Sequence, residues 1–264
     1  MIVGFDQVAP VELVGRKGHN LTRMWQAGLP IPPGFCVTCD GIEKVGFAEL
    51  NRALADLGPG AFAVRSSAIQ EDATDASFAG MLVSRLNVTA TEGVLSTLRE
   101  IRNSAVAPAI VGYSRRLNVP HSSRIAAVVQ VFLIAQASGV LFMRDPRTAA
   151  AHFVVEGCWG LGPGIVEGLV RPDRWMISSE DGTVISSEVA DKDIAIVPRE
   201  QGGVTQMPVD AACRRRPCLT VEWLHQLSRL AAECDQLFGA PQDIEWAVWD
   251  NRIWLLQSRP ITGF

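Results

Sequence analysis

Residues 244–249, Ile-Glu-Trp-Ala-Val-Trp, and residues 252–258, Arg-Ile-Trp-Leu-Leu-Gln-Ser, flank Asp250-Asn251, and the reading of this stretch decides the fold. Both arms are rich in aromatic and branched apolar residues, and the pair between them is turn chemistry, so the stretch reads as a β-hairpin. Side chains alternate between the two faces of a strand, so the loop length sets which residues share a face. A three-residue loop, 250–252, sets Glu245 opposite Gln257. One face then carries Ile244, Trp246, Val248, Trp254 and Leu256 to the core, and the other lines up Glu245, Gln257 and Arg259. A carboxylate beside an amide oxygen suits Mg²⁺, and a neighbouring arginine suits the phosphates that would complete its coordination. A two-residue loop would turn Gln257 into the core and remove the site.

Working outward, two more features suit a polyphosphate. Gly15-Arg16-Lys17-Gly18 precedes a run in which Leu21, Met24, Trp25 and Leu29 keep helical spacing. Backbone N–H groups and the dipole of a helix start favour anions, and Lys17 adds a point charge. The spacing is not that of a Walker A loop. Arg65 ends the apolar strand 62–65 and faces a fifteen-residue loop, 66–80, rich in Ser, Asp and Ala and closing with Ala76-Ser77-Phe78-Ala79-Gly80. Small residues let such a loop approach phosphate oxygens, and Phe78 could anchor a mobile lid. The plain alternative for Arg65 is an ion pair with Glu71, Asp72 or Asp75.

The remaining chain reads as helices over 40–57, 92–103, 108–117 and the 224–238 region, and strands at 34–38, 82–88, 152–156, 174–178 and 183–187. Residues 125–143 carry no formal charge over nineteen positions, close to the roughly 20 that span a bilayer. Gln130, Gln136 and Ser138 argue against a span, and the segment reads as two buried strands joined by a turn at 137–139. The chain has 264 residues, 48% hydrophobic and 20% charged, with a net charge of −4. These values predict a globular protein and advertise neither nucleic acid nor a membrane as partner. The first ten residues lack a secretory pattern, so the expected location is cytoplasmic. Cys36-x-x-Cys39 lacks a second pair at matching spacing and reads as two thiols in a strand and its exit.

An ordered set of motifs resembles one family. The set is Gly15-Arg-Lys-Gly-His-Asn-Leu, Pro32-Pro-Gly-Phe-Cys-Val-Thr, Ala63-Val-Arg-Ser-Ser-Ala with Glu71-Asp72 and Asp75-Ala-Ser-Phe-Ala-Gly, Ser138-Gly-Val-Leu-Phe with Asp145-Pro146, Trp159-Gly-Leu-Gly, and Asp243-Ile-Glu-Trp-Ala through Leu256-Gln-Ser-Arg-Pro-Ile-Thr. Together they are similar to the nucleotide-binding domain of phosphoenolpyruvate synthase and pyruvate phosphate dikinase, shared by rifampin phosphotransferases. The resemblance implies an α+β ATP-grasp fold, two lobes with mainly antiparallel sheets gripping ATP. We place the lobes at 1–120 and 121–264, with segments free to exchange between them.

The resemblance also implies roles. Lys17, Arg65 and Arg259 would act on the ATP phosphates, and the loop carrying Ser77 and Gly80 would cover them. Gln130, Val131, Phe132 and Leu133 would line the adenine pocket, and Glu245 and Gln257 would hold Mg²⁺. Arg16, Pro163 and Met143 depart from residues common in the family. The relatives pass phosphoryl groups through a histidine on a swivelling domain, and none of His19, His121, His152 and His225 has the Thr-Ser-His context of such a carrier. His19, beside Lys17, could contact phosphate. The expected function is a stand-alone ATP-dependent phosphotransferase subunit that phosphorylates a histidine on a partner protein, giving AMP and phosphate. A direct small-molecule kinase giving ADP, a ligase working through an acyl-phosphate, and a non-catalytic nucleotide-binding module are the alternatives.

Overall fold

The computed structural model describes residues 1–69, 72–73, 76–77, 83–106 and 124–261. The elements run β1 (Ile2–Gly4), α1 (Val11–Gln26), β2 (Gly34–Val37), α2 (Phe47–Asp56), β3 (Phe62–Ala68), β4 (Asp72–Ala73), β5 (Ala76–Ser77), β6 (Ser84–Val88) and α3 (Ala90–Ser104). They continue with β7 (Ile125–Val131), β8 (Ala137–Phe142), β9 (His152–Trp159), α4 (Pro163–Val166), β10 (Asp173–Ser178), β11 (Val184–Glu188), β12 (Ile194–Pro198) and β13 (Val204–Pro208). The last four are α5 (Ala211–Arg214), α6 (Val221–Phe238), β14 (Gln242–Trp249) and β15 (Arg252–Pro260). The helix expected at 108–117 lies outside the described residues.

Two antiparallel sheets organise the chain, one in the order β1-β2-β7-β3-β6 and the other β11-β10-β9-β8-β14-β15. Strand alternation gives the first sheet two apolar faces. Phe35, Val37, Phe62, Val64, Ala127 and Val129 pack on Leu50 and Leu54 of α2 and on Val94, Leu98 and Ile101 of α3. Cys36 and Val128 point the other way, to Val14, Leu21 and Met24 of α1. That second core runs on without a break into Leu141, Val155, Trp175, Ile244, Trp246, Ile253 and Leu255 of the second sheet and Leu224, Leu227 and Ala231 of α6. Helix α6 is closed by textually legible signals: Thr220 accepts from the Trp223 N–H at its start, and Gly239 takes the left-handed conformation at its end.

The segment 125–143 departs from the expected strand pair. Its two strands are both buried, but β7 joins the first sheet and β8 the second, so residues 132–136 cross between sheets instead of forming a turn. The change of sheet therefore comes after residue 131, not at 120, and β7 is a first-sheet strand. No helix among the described residues is long and apolar enough to cross a membrane.

One fully buried ion pair ties the second half together. The Lys192 ammonium donates to Asp173 Oδ1 and to the Ala190 carbonyl at 3.1 Å, while Asp173 Oδ2 accepts from the Cys218 N–H at 2.9 Å. Asp173 thus gathers β10 and two loops around a charge that every polar partner helps to satisfy. Asp173→Ala leaves the Lys192 charge buried without its counter-ion, and the expected cost is about 3–5 kcal/mol in urea or thermal unfolding. A loss below about 1 kcal/mol would show that water reaches Lys192.

Candidate functional site

A cavity of about 940 Å³ opens between the two sheets. Every residue expected in the site whose side chain is described lines it. The Ser77 backbone pairs with Asp72 in the β4–β5 ladder; its side chain, Gly80, and the lid residue Phe78 lie outside the described set. The same holds for Glu71 and Asp75, proposed ion-pair partners of Arg65, and for the Asp72 side chain.

Lys17 reaches the cavity because α1 is broken. Gly15 sits at φ 70°, ψ 172° inside the helix, and an added Cβ would lie 2.1 Å from the Ser67 carbonyl oxygen. Only glycine takes this backbone against so close a neighbour. The chain is helical again from Arg16, with the Gly18 N–H donating to Ser67 Oγ at 3.0 Å and Ser67 Oγ donating to the Val14 carbonyl at 2.7 Å. Lys17 Nζ donates to the Ser66 carbonyl at 3.2 Å, at the cavity wall. The helix begins before the Gly-Arg-Lys-Gly motif, not after it, so the motif is a kink within α1.

Arg65 and Gln130 share the cavity face because Arg65 pairs with Val128 in the β3–β7 register, one step of alternation from Gln130. Arg65 Nη1 donates to Gln130 Oε1 at 3.2 Å and, more weakly, to the Leu256 carbonyl across the cleft at 3.4 Å. Both partners are neutral oxygens. The Gln130 amide nitrogen is buried without a partner. Gln130 therefore sits with the phosphate-type cation Arg65 as well as beside the apolar wall of Val131, Phe132 and Leu133.

The hairpin reaches the expected geometry by an unexpected route. Its loop has two residues, Asp250 and Asn251, at φ 50° and 53°, the left-handed pair of a type I′ turn. Alone, this would swing Gln257 into the core. A bulge at Leu256 restores the register, so Trp246 pairs with Leu255 but Glu245 pairs with Gln257. The core residues of β15 are consequently Ile253 and Leu255, not Trp254 and Leu256; Leu256 lines the cavity instead. Glu245, Gln257 and Arg259 all face the cleft.

Two carboxylates escaped the sequence reading. Asp243 lies two residues before Glu245, so alternation alone places it on the same face, and it pairs with Arg259 in register. Arg259 grips one of its oxygens, with Nε at 2.8 Å and Nη2 at 2.6 Å, while Oδ1 is buried and unpartnered. Burial pushes the Asp243 carboxyl above the usual range, Arg259 pulls it down and Glu245 pushes it up. Glu156 also lines the cavity, held by Arg174 Nη1 at 3.1 Å, and Arg174 reaches Asp145 at 3.5 Å. The backbone N–H of Arg147 holds the Asp145 carboxyl below the usual range, helped by Arg174 and His152. His19 does not line the cavity; its Nδ1 is 2.7 Å from the Ala9 carbonyl. Cys36 lies fully buried in β2, where burial pushes its thiol up to about 12, and Cys39 follows the strand.

The sequence matches the family described as the pyruvate phosphate dikinase AMP/ATP-binding domain over residues 46–263. It is 36% identical to the prodigiosin synthesizing transferase PigC of Serratia marcescens, over 97% of this chain and 32% of that protein. It is 31% identical to a probable phosphoenolpyruvate synthase of Methanothermobacter thermautotrophicus, over 96% of this chain and 44% of the relative. It is 29% identical to the rifampicin phosphotransferase of Bacillus subtilis, over 99% of this chain and 36% of that enzyme. A solved D-alanine–D-alanine ligase from Bacillus anthracis is similar in structure, at a TM-score of 0.45 and 10% identity over 93% of this chain and 55% of the ligase. The chain belongs to the pyruvate phosphate dikinase AMP/ATP-binding domain family, and its two antiparallel sheets with flanking helices make the α+β arrangement expected of an ATP-grasp chain. It spans less than half the length of each of the three relatives.

The raised Asp243 pKa gives a pH prediction. A carboxyl that titrates higher folded than unfolded adds stability below its unfolded value, about 3.8, and loses it as pH climbs through the folded value. Asp243→Asn does not titrate, so unfolding midpoints from pH 3.5 to 7 are expected to show the wild type losing ground to the variant as pH rises. The opposite slope would mean that Arg259 outweighs burial.

Proposed function

We propose that the cleft binds Mg-ATP and activates it for phosphoryl transfer to an acceptor carried by another protein or domain. The observation that supports this most is the convergence of Lys17, Arg65 and Arg259, from three separate elements, with Glu245 and Gln257 in one cavity. Three cations satisfy the triphosphate, and the apolar wall at Val131, Phe132 and Leu133 suits a purine face.

The donor set fits Mg²⁺. Among the described residues no three His, Cys, Asp or Glu side chains cluster closely enough to hold a metal alone. Mg²⁺ does not need such a cage, since it is held by one or two carboxylates with phosphate oxygens and water. Glu245 and the Gln257 amide oxygen would supply the protein's share, and the unpartnered Asp243 Oδ1 lies in the same row. A Mg²⁺ held by these residues would supply charge neutralisation on the phosphate oxygens. Lys17 and Arg65 then orient the phosphate chain, and Arg259, fixed by Asp243, meets the transferred group.

Among the described residues that line the cavity none is a histidine. Membership of the dikinase family favours a phosphohistidine on a partner protein or domain, with AMP and phosphate as products. ³¹P NMR of Mg-ATP with the pure protein, alone and with source extract, tests this: AMP with phosphate is expected, and ADP would assign a direct kinase with an acceptor bound on this chain.

Arg65→Ala and Lys17→Ala are expected to weaken Mg-ATP binding about 10- to 100-fold each, the worth of one charge-assisted hydrogen bond, and adenosine binding little. Calorimetric titration with both ligands measures the difference. Equal losses for ATP and adenosine would remove both residues from phosphate contact.

A further inference from the structure

The hairpin β12–β13 is not part of either large sheet, yet it touches both halves of the cleft. Midway along β12, Ile196 bridges to Gly160, and the Leu161 N–H donates to the Ile196 carbonyl at 2.9 Å. Residues 161–163 line the cavity from the second-sheet side. At its tip, the turn 199–203 meets Asn87 at the end of β6 in the first sheet. The Asn87 amide donates to the Arg199 carbonyl at 2.7 Å and to the Gly203 carbonyl at 2.9 Å, and the Gly203 N–H returns a bond to the Asn87 carbonyl at 3.0 Å.

The contact is closely built. Asn87 is buried and left-handed at φ 55°, beside the register shift between β3 and β6, so the bulge aims its side chain out of the ladder. Gly202 stands at φ 96°, where a Cβ would lie 3.2 Å from the Asn87 carbonyl oxygen. Val83, Ser84, Arg85 and Leu86, the four residues before Asn87, all line the cavity. A continuous run of bonded backbone thus leads from one cavity wall through Asn87, the hairpin tip and Ile196 to the opposite wall at Leu161.

We propose that Asn87 is a positioning residue: through the β12–β13 hairpin it sets the spacing between the β6 wall and the 161–163 wall of the cleft. The affinity consequence rests on the Mg-ATP reading above; the mechanical coupling does not. The two side-chain hydrogen bonds to carbonyls fasten the tip of a hairpin whose pairing outside its own ladder is the single Gly160–Ile196 bridge, so their loss frees the tip and loosens the strand at Ile196.

The test is amide hydrogen exchange on Asn87→Gly, which keeps the left-handed backbone and removes the amide. Exchange at Leu161 is expected to quicken about fivefold or more, while core amides of β2 and β7, which report global stability, stay unchanged. Mg-ATP binding is expected to weaken about five- to tenfold. Gly202→Ala, which crowds the Asn87 carbonyl and strains the tip while leaving the Asn87 side chain in place, is expected to give the same pattern. Asn87→Asp keeps size and backbone but turns a carboxylate on two carbonyls, so it is expected to loosen Leu161 at least as much. Leu161 exchange at the wild-type rate in Asn87→Gly, rescue by Asp, or uniform acceleration of all amides would each overturn the proposal. Failure of the wild type to bind Mg-ATP would sink the nucleotide reading alone, and the exchange results would still decide the coupling.

Discussion

Helix α1 is the wedge on which the two sheets agree. Its inner residues Val14, Leu21 and Met24 are fully buried and belong to the one core that joins the first sheet to the second. Polar contacts pin it at both sides: Gly18 and Val14 to Ser67 of β3, and Asn20 Nδ2 to the Ser258 carbonyl of β15 at 2.8 Å. A buried amide bonded to a backbone carbonyl is costly to break, so these contacts fix position more than they add stability. Displacing α1 would move Lys17, Arg65 and Arg259 relative to one another. The cleft is therefore a consequence of where one helix sits between two sheets.

Much of the site was legible in sequence because its chemistry is local. Lys17, Arg65 and the Glu245–Gln257 pair could be read from glycine placement, strand ends and alternation, and each lines the cavity. The hairpin shows where such reading stops. Its true loop, Asp250-Asn251, is the shorter one, and a bulge at Leu256 compensates. Nothing in Ile253-Trp-Leu-Leu256 marks a bulge, since every residue there can face a core. Alternation gave the right pairing at Glu245 and Gln257 but assigned Trp254 and Leu256 inward, where Ile253 and Leu255 belong.

Partner choice between strands was harder to read than the strands themselves. Residues 125–131 and 137–142 are apolar enough for buried strands, and a small-residue stretch between apolar runs looks like a turn. Which sheet each joins depends on contacts tens of residues away, with β7 lying between β2 and β3 and β8 between β9 and β14. Asp243 was a different kind of miss. Its offset of two from Glu245 was sufficient to put it in the site, but its pairing with Arg259 needs the register that only the bulge supplies. The β12–β13 hairpin had no strong pattern, because a two-stranded ladder leaning on a turn needs little apolar alternation.

The distribution of charge explains why the cleft needs both halves. Lys17 and Arg65 come from the first-sheet side, while Asp243, Glu245 and Glu156 come from the second, with Arg259 already committed to Asp243. Either half alone would meet a nucleotide badly: the first would attract phosphate without a cation-binding carboxylate, and the second would repel it. Complementary wiring at close range makes affinity depend on the spacing of the walls, because a hydrogen bond is lost once donor and acceptor part beyond about 3.5 Å. A fold with this arrangement gains from fixing that spacing in more than one place. Helix α1 does so at the core, where the Arg65 to Leu256 contact crosses the cleft floor, and Asn87 does so at the rim.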